Sequence, residues 1–228
     1  MARFAPVIIG LTFFTLSATA ALAQTCTGTA SFASGPVRIG AGIDFGNDSK
    51  QYGAQLAVGK AAGPFAAGSV AAVDVDDIDE GFTLYAIELG YGIQVAANKP
   101  FEMCPIAGIG FGSADIEDGG FGVEISSRQI QVGLSIGGVA STTPTFALVP
   151  AVAFFYANEN VESKGAVEFD ESEDYGIISL AAGFIFNQRV TLRPNIAFPM
   201  GLDDADPTFG IAIAFNFGTP PSSRRRPR

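Results

Sequence analysis

Histidine is absent from all 228 residues. That removes Ser-His triads, His general bases and His-based metal sites in this chain. The side chains left for chemistry are carboxylates, arginines and two cysteines. Carboxylates crowd in Asp74-Val75-Asp76-Asp77-Ile78-Asp79-Glu80 and in Asp203-Asp204-Ala205-Asp206. Such runs suit a hard cation like Ca²⁺, with Asp76, Asp77 and Asp79 as candidate ligands. Neither run has the Gly and bidentate Glu spacing of an EF-hand, so a solvated acidic loop is the plainer reading. Gly108-Ile109-Gly110-Phe111-Gly112 is no phosphate loop, because it lies inside an alternating segment and no helix follows. No cofactor is expected. With a net charge of −10 and one basic cluster, Arg224 to Arg226 with Arg228, nucleic acid is excluded as a partner.

Four further charges stand out by their neighbours. Arg38, Asp44, Glu88 and Arg193 each lie on the small-residue face of an alternating segment. A membrane-spanning strand needs about 9–11 residues with apolar side chains at every second place. Ten segments approach that pattern. Val37, Ile39, Ala41, Ile43 and Phe45 oppose Arg38, Gly40, Gly42 and Asp44. Tyr85, Ile87, Leu89, Tyr91, Ile93 and Val95 oppose Ala86, Glu88, Gly90, Gly92 and Gln94. Ile130, Val132, Leu134 and Ile136 oppose Gln129, Gln131, Gly133 and Ser135. Phe209, Ile211, Ile213, Phe215 and Phe217 oppose Gly210, Ala212, Ala214 and Asn216. The segment from Phe65 to Val75 is Ala-rich and weak. Phe146 to Tyr156 is apolar on both faces and leaves its register open. A soluble sandwich would bury the large face and wet a face of Lys, Glu or Thr. Here the small face suits the interior of a narrow barrel, and closure removes the unpaired edge that lipid would penalise. The expectation is an all-β, antiparallel up-and-down transmembrane barrel of about ten strands, with eight as the alternative, over residues 37–217.

The connections alternate in character. Those after odd segments are polar and mostly long, including Asp115–Ser126 and Ala157–Asp174; those after even segments are short. Counting Asp74 with its loop, the first set holds 20 of the 23 Asp and Glu. Long acidic outer loops, short inner turns and an even strand count put both barrel ends in the periplasm. The N-terminus reads as a secretory signal over residues 1–23: Met1-Ala2-Arg3, an apolar run to about Leu16, and an A-x-A site at Ala21-Leu22-Ala23. An uncleaved anchor helix is the alternative. Export would place Cys26 and Cys104 in an oxidising compartment. Cys26 precedes the first segment in a periplasmic stretch over residues 24–36, and Cys104 opens the fifth. Both fall at one rim, so a Cys26–Cys104 disulfide across the inner mouth is expected, two separate buried thiols being the alternative.

Signal, alternating strands, long outer loops and the last strand Phe209–Phe217 together resemble the small outer-membrane β-barrel proteins, the group that includes the OmpA membrane domain and OmpX. The resemblance covers Val37 to Phe217. It implies residence in the bacterial outer membrane, contact with its lipid and lipopolysaccharide, and recognition of the last strand by the barrel-insertion machinery. The chain departs from the pattern in the Arg-rich tail of residues 218–228. Ten-stranded proteases and lipid A deacylases of that compartment rely on histidine, so neither activity is expected. The lumen charges Arg38, Asp44, Glu88 and Arg193 leave two readings. They form a structural plug, which makes a non-enzymatic structural or interaction barrel with acidic loops, expected as a monomer; or they line a narrow passive pore for small solutes.

Overall fold

The computed structural model describes residues 25–218 apart from six short stretches at 61–62, 76–80, 96–100, 119–120, 144 and 166–167, and a seventh at 203–204. The stretch read as a signal, the tail beyond Gly218 and the candidate ligands Asp76, Asp77 and Asp79 lie outside the described residues.

Among the described residues twelve strands form, in chain order: β1 Val37–Phe45, β2 Ser49–Gly59, β3 Pro64–Val75, β4 Phe82–Tyr91, β5 Ile93–Gln94, β6 Phe101–Asp118, β7 Phe121–Gly138, β8 Ser141–Thr142, β9 Phe146–Gly165, β10 Phe169–Phe186, β11 Val190–Met200 and β12 Thr208–Phe217. β5 prolongs β4 beyond Gly92 against β6, and β8 is a short partner of β9. The other ten make the wall. Every neighbour pairs antiparallel, β12 pairs with β1, and β9 pairs with β10, so the sheet closes. Both chain ends of the barrel therefore lie at one mouth, called here the near mouth; the opposite one is the far mouth.

Facing follows residue size. Ile39, Leu56, Ile87, Leu89, Ile130, Val132, Leu180 and Ile213 turn outward, each more than a third exposed. Two aromatic rings bound this apolar belt. Phe45, Tyr52, Tyr85, Phe111, Tyr156 and Phe209 circle the far side, and Tyr91, Phe101, Phe186 and Phe217 the near side. An apolar band between aromatic girdles is the surface a bilayer covers. Gln94, expected in the lumen, is exposed at the near rim, because β5 ends the wall there.

Glycines on the inner face make room for large neighbours. Phe65 sits opposite Gly90 in register, and a Cβ on Gly90 would come within 2.1 Å of the Phe65 ring. Gly133 does the same for Phe155. This settles the register of β9: Phe155 and Val149 turn inward, and Phe154 and Tyr156 outward. At the near end, Asn187 and Gln188 have φ of 49° and 59°, and the Arg189 N–H donates to the Phe186 carbonyl at 3.0 Å. Positive φ at both central positions is the type I′ hairpin turn, whose twist matches its strands.

The four strands β6, β7, β9 and β10 run 18, 18, 20 and 18 residues, well past a membrane's needs. β4 leaves β6 at Thr83↔Ser113, and β11 leaves β10 at Gly176↔Met200. Beyond those points a four-stranded arm continues at the far mouth. The sequence reading put loops at Asp115–Ser126 and Ala157–Asp174. The structure instead pairs residues 115–118 with 121–124, and 157–163 with 169–175, as the ends of two hairpins. Their period was hidden because the arm's outer face and part of its inner face are both polar.

Candidate functional site

The lumen is where buried polar and charged side chains converge among the described residues, and three layers fill it. At the near mouth the segment from Thr25 to Pro36 turns into the barrel as two short 3₁₀ turns, Thr25–Thr27 and Phe32–Ser34. Cys26, Thr27, Thr29, Ala30 and Phe32 are all buried. The Cys26–Cys104 disulfide is present and fully buried, which pins one end of the segment to β6. The Ser135 hydroxyl donates to the Cys26 carbonyl at 2.6 Å.

The arginines then grip this plug by its backbone. Arg193 Nε donates to the Thr27 carbonyl at 2.8 Å. The Ala30 N–H donates to Thr191 Oγ1 at 3.1 Å, and Arg38 Nη2 donates to the Ala30 carbonyl. Arg38 Nε also donates to Asn216 Oδ1 at 3.0 Å, and its guanidinium lies 4.4 Å from the Phe32 ring centre, a cation–π contact. Asn216 Nδ2 donates to the Ser31 carbonyl at 3.1 Å. Gly183 is what lets the plug backbone approach: a Cβ there would lie 2.0 Å from the Gly28 carbonyl oxygen. Gly28 itself has φ of 75°, which a side chain would strain.

The middle layer is acidic and amide-rich. Gln131 Nε2 donates to Glu88 Oε1 at 2.9 Å, and Asn195 Nδ2 donates to Asp44 Oδ1 at 3.3 Å. The Tyr175 hydroxyl donates to Glu159 Oε2 at 2.9 Å, and Gln129 Nε2 bonds to both. The outer layer, at the far mouth, is apolar. Ala71, Val73, Phe82, Leu84, Ala114, Ile125 and Val161 pack together there, and Leu202 and Ala205 of the β11–β12 connection cover them.

All four charges expected in the lumen, Arg38, Asp44, Glu88 and Arg193, are buried there, at 0%, 5%, 3% and 3% exposure. Their first partners are mostly not one another. Both arginines hold plug carbonyls, and both carboxylates accept from side-chain amides. Arg193 also feels the charges of Asp44 and Glu88. Sequence reasoning set Ser135, Thr191 and Asn216 on the inner face but gave them no role, although each is polar on a face made largely of Gly and Ala. It also missed that Thr25–Pro36 enters the barrel, since a short Thr- and Ser-rich stretch looks like a linker. Glu159 was hidden inside a supposed loop, and Tyr175 stood just past its end. Among the described residues no group of three or more potential ligands is arranged to hold a metal.

No family model and no curated protein sequence matches this chain. Solved structures do match. The β domain of the Bordetella autotransporter BrkA superposes with a TM-score of 0.50 at 10% identity, covering 79% of this chain and 98% of that one. The N-terminal β-barrel domain of Pseudomonas aeruginosa OprF gives 0.42 at 14% identity, over 81% and 98%. The KdgM porin gives 0.40 at 7%, over 79% and 99%. At such identities the likeness speaks for the fold alone. Joined to the closed wall and its girdled apolar belt, it makes this chain, in fold, an outer-membrane β-barrel.

Proposed function

We propose that the protein is a closed, non-enzymatic barrel of the bacterial outer membrane that presents an acidic strand arm outside the cell, with its near mouth in the periplasm. One observation carries this over the passive-pore reading: both mouths of the lumen are filled. A buried disulfide and the Arg38 and Arg193 clamps hold the plug at one end, and an apolar cluster closes the other. A pore needs a continuous wet path, and an apolar constriction is where water columns break. The chain has no histidine, and among the described residues the buried carboxylates Asp44, Glu88 and Glu159 are each held by an amide donor, Glu159 by the Tyr175 hydroxyl as well.

The test is electrical. Refolded protein in a planar bilayer is expected to give no unitary conductance steps, while migrating on gels in the heat-modifiable manner of a folded barrel. Regular ohmic steps from the wild-type protein would establish the passive pore instead.

A further inference from the structure

The arm ends in an open strand edge. Among the described residues, β10 from Phe169 to Asp174 pairs with β9 alone, because β11 stops at Met200, opposite Gly176. In an antiparallel strand alternate residues aim their N–H and C=O groups to either side. About half of these six residues therefore offer both groups to the open side. Residues 170–174, Asp-Glu-Ser-Glu-Asp, are exposed on both faces. Such an edge is a template for one more strand, continuing the line of β11 for about 20 Å at the usual rise per residue.

The charges name the occupant. Four of the five exposed residues are acidic, and the ion pair of Lys164 with Glu162 lies outside them. Asp170 and Asp174 are oriented on the outer face by Asn160 Nδ2 at 2.9 Å and Asn158 Nδ2 at 3.0 Å. Glu171 and Glu173 take the opposite face. A second copy of this chain would bring the same four carboxylates against these, so like charge forbids it. A strand carrying Lys or Arg at alternate positions satisfies the backbone edge and sets its cations on one face, against Asp170 and Asp174.

We propose that the β10 edge at residues 169–174 captures an extended cationic peptide segment by strand addition. The proposal rests on the preceding reading only for where the partner is met, outside the cell. The probe is a fluorescein-labelled octapeptide of alternating lysine and valine, added to the refolded barrel in uncharged detergent. Fluorescence anisotropy is expected to show binding that weakens at least tenfold between about 0.05 and 0.5 M salt. The double variant Asp170→Lys with Asp174→Lys is expected to lose at least tenfold in affinity. If that variant does not fold, as judged by heat-modifiable migration, the Asp170→Asn, Asp174→Asn pair replaces it, with loss in the same direction. Hydrogen exchange at residues 169–174 is expected to slow at least tenfold in the complex. Unchanged exchange there would overturn the proposal. So would equal binding of a lysine–proline octapeptide, which carries the charge without strand hydrogen bonds, or the same protection from Ca²⁺ alone. Conductance steps would sink the closed-barrel reading and leave this result untouched.

Discussion

At the scale of single residues, glycine is what allows so narrow a barrel to hold large side chains. Gly90 faces Phe65 across β3 and β4, and only ring atoms of Phe65 stand where its Cβ would go. Gly90→Ala is therefore an overpacking change, expected to cost about 1–3 kcal/mol. The same substitution made in a Phe65→Ala background should cost much less, since the offending ring is gone. Denaturant titration of the refolded single and double variants measures the coupling, and strict additivity would contradict the packing described here. The buried arginines follow a related logic. A guanidinium without water must find acceptors, and here the acceptors are carbonyls of the plug. Arg38→Met should leave the barrel wall intact while amides of residues 27–35 exchange faster with solvent.

At the scale of elements, each wall strand is two rows of residues with separate duties. The outer row should obey depth. Arg in place of Ile87 or Leu89, near the middle of β4 and 59% and 61% exposed, is expected to cost about 2–4 kcal/mol. Arg in place of Val95, equally exposed but at the near rim, should cost about 0–1 kcal/mol. Folding titrations in lipid vesicles supply the comparison, and equal costs at both depths would refute the membrane belt. The inner row has no such tolerance. Gln131, polar as it is, is packed against the place where a Gly108 side chain would begin, so Arg there overpacks the lumen. The plug behaves as an eleventh wall contact rather than a tail, because its backbone groups are met by β1, β7, β11 and β12.

At the scale of the whole molecule, the disulfide ties the plug to the wall across 78 residues of chain. In the chain-entropy model a loop of that length contributes about 4.5 kcal/mol. Both sulfurs are sealed from solvent, so a reductant should reach them only when the barrel opens. Thiol labelling in dithiothreitol is expected to track global unfolding, and the Cys26→Ser, Cys104→Ser double variant should fold to a less stable barrel. Rapid reduction of the native protein would mean that the plug moves freely. Orientation is tested on cells. A tag inserted between Gly165 and Phe169 should be reachable on intact cells, and one in the Asn187–Arg189 turn should not; the reverse result inverts the topology.

What the sequence by itself determined is the wall. A period of two with large residues on one row and Gly, Ala or amides on the other has only one low-energy arrangement in lipid, with the large row outward and the sheet closed. That is why the facing of Ile87, Ile213, Arg38 and Asn216 was legible, and why the two cysteines could be placed at one rim. The lumen's contents were not legible, because filling a closed space depends on contacts between residues far apart in the chain. Nothing local marks Thr27 as the partner of Arg193 or Gly183 as the seat of Gly28. The arm was hidden for a related reason. Residues 157–165 and 169–174 lack a clean apolar row, since the strand edge at 170–174 is wet on both faces. Their strand state comes from pairing with β7 and with each other, which only the closed tertiary structure supplies.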